Sequence, residues 1–194
     1  MSMKEFIYRK EDYIHPTDLK AFDDLFENYN YNLNAVRNDK EFEIILTFLL
    51  NLTERAVNFI PAYEQINCLI DTDDNNLKIL KTAFENKWFE ASLRIADKEK
   101  LFSRKLSWNW NENRALIRGI YLGATLYWSK GEFEYANDLF TKLFNTNIED
   151  NIGARFAMKA TQEKMSYDEF NLRFIFEDVY GTHYRRELEK WYEG

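Results

Sequence analysis

Three acidic or amide residues follow one another at alternate positions, as in the first half of a calcium-binding loop. Asp71, Asp73 and Asn75 could each supply an oxygen ligand. A calcium loop also needs glycine at its sixth position and a bidentate glutamate at its twelfth, whereas this chain has Asn76 and Thr82 there. The sequence therefore favours a solvated turn between two helices over a metal site.

The sequence contains few candidate residues for nucleophilic or metal-assisted catalysis. Cys68, the single cysteine, falls on an apolar helix face, where an inert core thiol is expected. His15 and His183 stand near opposite ends of the chain, and neither has the ligand spacing of a zinc site. We therefore predict a non-catalytic protein with no cofactor and no bound metal, and an enzyme of unknown class is the least favoured alternative.

A group of arginine residues allows two interpretations. Arg114 and Arg118 are four positions apart and share a helix face. In the structural interpretation, guanidinium groups pair with Asp150 or with main-chain carbonyls and, together with Asn151 and Arg155, join adjacent helix pairs. In the functional interpretation, they clamp the acidic end of a peptide. The structural interpretation is preferred, because Asn151 and Arg155 fit the same joint.

The composition and charge of the chain argue against binding to nucleic acid or to a membrane. The chain has 194 residues, a net charge of −7 and an aromatic content of 17%. A nucleic-acid footprint usually needs a basic face, so nucleic-acid binding is disfavoured. The longest apolar run, residues 44–50, is too short to span a bilayer, and the N-terminus does not resemble a signal peptide. With its single cysteine, the chain is expected to be a cytoplasmic protein that binds neither nucleic acid nor membrane.

Two prolines and six glycines are too few for the many turns of an all-β protein, so the sequence predicts an all-α fold. Apolar residues recur at steps of three and four. Thr17 is predicted to cap the first helix, and Ser166 with Glu169 matches a capping box. The remaining predicted helices cover about 39–56, 61–70, 77–88, 91–96, 112–129, 133–144, 151–164, 166–181 and 184–192.

The helices on either side of Gly131 are predicted to form an antiparallel pair, because their connection is short. Ala124 on the first helix and Ala136 on the second would let the two backbones approach closely. Phe133 and Phe140 would fill the space beyond.

This pair resembles the tetratricopeptide repeat, which has small, aromatic and glycine residues at defined positions. The positions that carry the resemblance are Ala124, Tyr127, Gly131, Phe133, Ala136 and Phe140. Gly123 and Ile148 depart from the pattern, which prefers leucine and proline there. The resemblance implies a short right-handed array of antiparallel helix pairs, an α-α superhelix.

A longer segment, 112–155, resembles a group of uncharacterised prokaryotic proteins with tetratricopeptide-like repeats. It keeps an ENR-x3-R start and a DN-x-G-x-R end but lacks both prolines of that pattern. Residues 59–66 resemble the opening of a degenerate earlier repeat. We therefore predict a single domain, 1–194, made of N-terminal helices (1–56), a degenerate repeat (57–90), the best-defined repeat (112–146) and C-terminal capping helices (150–194).

The resemblance gives the aromatic residues a possible role. In such arrays the first helix of each pair lines a concave surface, which would place Arg118, Tyr121, Thr125 and Trp128 on that lining. Aromatic and arginine side chains are good anchors for a bound segment. The prediction is an interaction or adaptor module that binds a protein or peptide partner. The alternatives are that these rings are core, or that a second copy of the chain covers them in a homo-oligomer.

Overall fold

The computed structural model describes residues 3–28, 39–70, 75–174 and 182–193, and within them all side chains except those of 75–76 and 182–186. Across these ranges the chain forms nine α-helices, two short 3₁₀ helices and no strand, which confirms the all-α prediction. The helices are α1 (Pro16–Asn28), α2 (Asp39–Arg55), α3 (Ile60–Leu69), α4 (Asn75–Glu99), α5 (Asn111–Ser129), α6 (Phe133–Thr146), α7 (Ala154–Gln162), α8 (Tyr167–Phe174) and α9 (Thr182–Glu193).

Successive helices pack on one another along the chain. Helices α2 and α3, α3 and α4, α4 and α5, α5 and α6, and α6 and α7 each form a contacting pair. None of the described helices has an apolar stretch long enough to cross a bilayer.

Buried side chains form two hydrophobic clusters, and α5 belongs to both. Its first half contributes Leu116 and Ile120 to a cluster with α1 to α4. Its second half contributes Ala124 and Trp128 to a cluster with α6 to α9. Helices α4, α6 and α7 also contribute to both clusters, so α5 is one of the helices that join them.

The sequence prediction of two separate helices at 77–88 and 91–96 is wrong, because both segments belong to α4. It runs without a break from Asn75 to Glu99. Trp88 and Ile95 pack into the first cluster, whereas Phe89 packs into the second. Because a helix between two cores has apolar residues on two sides, its pattern lacks the single apolar stripe by which helices are predicted.

The predicted hairpin around Gly131 is confirmed. Helices α5 and α6 pack side by side and are joined by residues 130–132. Gly131 has φ +79°, a conformation that glycine adopts without the steric cost of a Cβ, and its N–H donates to the Trp128 carbonyl at 2.9 Å. Ala124 and Ala136 are both fully buried, as their small size suggested.

Helices α4 and α5 cross very closely at two glycines. A Cβ built on Gly123 would lie 1.9 Å from Cδ2 of Phe89, and one on Gly119 would lie 2.3 Å from Oγ of Ser92. Gly123 was interpreted from the sequence only as a departure from the repeat pattern. Its role is to make room for the Phe89 ring.

Several predicted helix ends need correction. Helix α1 begins at Pro16, so Thr17 lies inside the helix, and its N–H donates to Nδ1 of His15 at 3.3 Å. Helix α7 begins at Ala154 and not near 151, because 150–153 form a turn. Ser166 does cap α8, since its Oγ accepts from the Glu169 N–H at 3.1 Å. The acidic run 71–74 and the predicted helix end at Gly181 lie outside the described residues.

Candidate functional site

Helix α5 carries a stripe of exposed or partly exposed side chains along one face, and the Tyr121 ring of this stripe also packs against both hydrophobic clusters. Arg114, Arg118, Tyr121 and Thr125 follow one another at helical spacing. Arg118 is exposed and the other three are partly exposed. The structure therefore places three of the four predicted partner-binding residues, Arg118, Tyr121 and Thr125, on one accessible stripe.

Trp128, the fourth predicted partner-binding residue, is part of the core. It is only 1% exposed, and its indole Nε1–H donates to the Met165 carbonyl at 2.8 Å. The rings of Tyr167 and Phe170 lie edge-on against it, with centroids at 5.3 and 5.1 Å. Because α8 and the residues before it cover Trp128, the prediction that it lines a groove is wrong.

The indole of Trp108 forms a platform beside the start of the stripe. The guanidinium carbons of Arg114 and Arg118 lie 5.5 and 5.3 Å from the centroid of the Trp108 ring, within cation–π range. Arg114 also donates from Nε to the Trp108 carbonyl at 3.1 Å. Both guanidinium groups therefore lie against one partly exposed ring.

An ion pair fixes Arg118 further. Its Nη1 lies 2.5 Å from Oε1 of Glu64 on α3. The Arg118 side chain is 47% exposed, so the pair contributes little to stability. Its effect is to orient the guanidinium group.

Asp150 and Arg155, two of the four residues predicted to join adjacent helix pairs, form an ion pair. Oδ2 of Asp150 accepts from Nη1 of Arg155 at 3.1 Å, and Oδ1 accepts from the Ala154 N–H at 2.6 Å. Nη2 of Arg155 pairs with Glu189 of α9 at 2.5 Å. The Asp150–Arg155 pair thus connects the loop before α7 with α9.

The other two residues predicted for this joint lie elsewhere. Arg114 contacts Trp108, so of the predicted partners it meets a main-chain carbonyl and not Asp150. Asn151 is exposed at the rim of a cavity.

The Asp150 carboxyl group is buried, and this burial shifts its pKa. Desolvation raises the pKa of its carboxyl group, and the hydrogen bonds from the N–H groups of Arg155 and Ala154, with the charge of Arg155, act in the opposite direction. Asp150 also adopts φ +44°, an uncommon conformation for a residue with a side chain. These features identify Asp150 as a structural residue that caps α7.

A cavity of about 340 Å³ lies between α5, the loop before α7 and the C-terminal helices. Its walls combine aromatic and polar side chains. The lining includes Tyr121, Glu149, Asp150, Asn151, Arg155, Phe156 and Phe170. Sequence reasoning did not find this cavity, because Phe156 and Phe170 come from helices that no local pattern places beside Tyr121.

Glu149 connects the cavity to the Trp108 platform. Its Oε1 accepts from Oγ of Ser107 at 3.0 Å and from Nδ2 of Asn109 at 3.1 Å. Nζ of Lys105 lies 3.8 Å from the same oxygen. The loop that carries Trp108 is therefore tied to the residue that lines the cavity, and the two features form a continuous surface.

Within the described ranges, no three histidine, cysteine, aspartate or glutamate side chains are grouped so that they could hold a metal ion. Cys68 is exposed, so the prediction of a core thiol is wrong. It lies near the end of α3, on the side of the helix opposite to the buried Tyr63 and Ile66. Asp71 and Asp73, which resembled a calcium loop, fall outside the described residues.

No protein-family model matches the chain, and comparison with curated proteins and with solved structures gives no significant match. The resemblance to tetratricopeptide-like proteins therefore remains a hypothesis.

Proposed function

We propose that the chain is a non-catalytic interaction module that binds a segment of a partner protein on its α5 surface. We define the α5 surface as Trp108, Arg114, Arg118, Tyr121 and Thr125. The observation that carries the proposal is the Trp108 ring with two guanidinium groups 5.5 and 5.3 Å from its centroid, at a partly exposed position. Tryptophan, tyrosine and arginine are the residues most enriched among those that dominate binding energy in protein interfaces.

Preorganisation supports the same proposal. Ordering a long side chain upon binding costs about 0.5–1.5 kcal/mol. Arg114 and Arg118 are already held by the Trp108 carbonyl and by Glu64, respectively. Binding of a partner to this surface therefore costs less side-chain conformational entropy than binding to mobile arginines would cost. The net charge of −7 favours a protein partner over nucleic acid.

We also propose that the helices form a short right-handed tetratricopeptide-like array. The sequential packing from α2 to α7, the buried Ala124 and Ala136 and the positive φ of Gly131 support this architecture. In such an array α5 would be the inner helix of its pair, which agrees with its accessible stripe. An exposed cysteine and the absence of a disulfide framework from the sequence suit a reducing cytoplasm, where we place the module.

Affinity capture from the native host, followed by direct binding to the purified partner, tests the proposed function. Arg118→Glu reverses the charge at the centre of the α5 surface. Arg55→Glu is the matched control, because Arg55 is also an exposed arginine in an ion pair, 2.9 Å from Asp18. We expect the Arg118 variant alone to lose a partner and to bind it at least about tenfold more weakly, since a charge reversal opposes an interface. Equal binding by both variants would exclude the α5 surface as the site.

A structural homo-oligomer is the second candidate function. Trp110 is 41% exposed and Ile148 is 68% exposed, and they adjoin the bonded pair Asn109 and Glu149 in the sequence. Such apolar side chains could be covered by a second copy of the chain. Light scattering of the parent and of Ile148→Asp across a concentration range tests this alternative. A dimer that Ile148→Asp dissociates supports it, whereas a parent that stays monomeric excludes it.

A further inference from the structure

We propose that the cavity beside Tyr121 receives the side chain of an arginine carried by the partner segment. This inference rests on the proposed function and specifies the chemistry of the partner. It would make the cavity the part of the interface that determines specificity.

The charges around the cavity favour a cation over an anion. Arg155, the only cationic group among the described lining residues, already pairs with Asp150 at 3.1 Å and with Glu189 at 2.5 Å. An anionic ligand would have to displace one of these carboxylates from the guanidinium group. Glu149 adds a further negative charge to the wall, although its two oxygens also accept hydrogen bonds from Ser107 and Asn109, and Nζ of Lys105 lies 3.8 Å away.

Aromatic rings supply the rest of the wall. Tyr121 is partly exposed, and Phe156 and Phe170 are 8% and 6% exposed. The guanidinium carbon of Arg155 already lies 4.3 Å from the centroid of the Phe156 ring, so Tyr121, the most accessible of the three rings, is the one that can attract a further cation by its quadrupole. Arginine fits better than lysine, because its planar guanidinium stacks on rings and is more weakly hydrated. The exposed Asn151 amide at the rim could accept a hydrogen bond from the same group.

The size of the cavity and the charge of the chain agree with this occupant. A volume of about 340 Å³ is near the lower end of ligand pockets, so it admits one side chain and not a folded element. The net charge of −7 attracts basic segments over a distance. Once the arginine is seated, the neighbouring platform with Arg114 and Arg118 would meet an acidic or aromatic residue of the same segment.

NMR titration of the full chain with a capped pentapeptide, one arginine among glycines and serines, tests the inference. The control peptide has citrulline, which keeps the shape but lacks the charge. We expect saturable shifts of the main-chain amides of Asn151, Gly153 and Phe156 with the arginine peptide, and about tenfold weaker binding of the citrulline peptide. Lysine in place of arginine should give an intermediate affinity.

Two variants assign the shifts to the cavity. Tyr121→Leu keeps an apolar side chain but removes the ring, and it should weaken binding of the arginine peptide about threefold or more. Tyr135→Leu is the matched control, since Tyr135 is a 40% exposed tyrosine on α6 that does not line the cavity. It should leave the affinity unchanged, and equal effects of the two variants would overturn the assignment.

The inference fails if arginine and citrulline peptides bind alike, or if neither shifts these amides at about 10 mM, where a ligand of millimolar Kd is near saturation. It also fails if free methylguanidinium binds as tightly as the peptide, because the cavity would then take a small cation and not a partner segment. Failure of the proposed function is separate. A partner lost with Arg118→Glu would stand even if the arginine peptide did not bind.

Discussion

The main-chain N–H of Tyr8 donates to Oδ1 of Asn113 at 2.9 Å, across 105 positions of the sequence. The Nδ2 of Asn113 donates in turn to the carbonyls of Phe6 at 2.9 Å and Ser107 at 3.1 Å. One buried amide thus attaches the N-terminal strap, residues 4–8, to the start of α5. It also fixes the loop that presents the Trp108 platform.

We predict that Asn113→Ala lowers the free energy of unfolding by about 1–3 kcal/mol, because it leaves buried main-chain groups without their hydrogen-bond partner. Urea denaturation followed by far-UV circular dichroism measures the change. Asn86→Ala is the matched control, since Asn86 bonds to the Thr82 carbonyl at an exposed position on α4. It should change stability by less than about 0.5 kcal/mol. A similar loss in both variants would contradict the role assigned to Asn113.

Gly123→Ala is predicted to destabilise the fold by about 1–3 kcal/mol, because the new methyl group would overlap the Phe89 ring. Thermal unfolding measures the loss. Phe89→Leu removes the ring, so the double variant should be more stable than the sum of the two single losses indicates. Strict additivity would mean that the two residues do not determine the α4–α5 distance.

Ala136→Leu is predicted to lower the free energy of unfolding by about 1–3 kcal/mol, because Ala136 is a fully buried residue of α6 and the larger side chain would overpack the core. Ala83→Leu provides the comparison, since Ala83 is exposed on α4 and an added side chain there meets solvent. The melting temperatures of the two variants and the parent test the prediction. An Ala136→Leu variant that melts with the parent would show that this helix pair tolerates the added volume.

Tyr13 should make stability depend on pH in the alkaline range. Burial, and then the charge of Glu99, raises the pKa of Tyr13 to about 12, against about 10 in an unfolded chain. The folded state therefore holds the phenol proton more tightly. Its stabilising contribution is present in full below about pH 10 and is lost as the pH rises towards 12.

Urea denaturation at a series of pH values between about 9 and 12 tests this expectation, with Tyr13→Phe as the comparison. The free energy of unfolding of the parent should fall more steeply with pH than that of the variant. Parallel curves would show that Tyr13 is not responsible for the loss.

The sequence predicted those parts of the fold that depend on neighbouring residues. The hairpin around Gly131 follows from helical periodicity, small residues and one turn glycine, all within 112–146. Helix α4 did not follow, because its apolar residues face two clusters, and neither did the role of Asn113, whose partners are distant in the sequence.

The same reason explains why Trp128 was wrongly predicted to line a groove. Arg118 is exposed, and Tyr121 and Thr125 are partly exposed. Trp128 lies on the next turn of that helix, and only the packing of α8 on it decides that it is core. A single helix can indicate which residues share a face, but it does not indicate which later helix covers part of that face.

The position of α5 in both hydrophobic clusters has a consequence for cooperativity. Leu116 and Ile120 stabilise the N-terminal half, and Ala124 and Trp128 stabilise the C-terminal half, on one continuous helix. If either half opens, α5 loses the packing that keeps it helical, and the other half loses a wall of its core. The two halves should therefore melt together in a single transition, and a partner bound along α5 would protect both of them from unfolding.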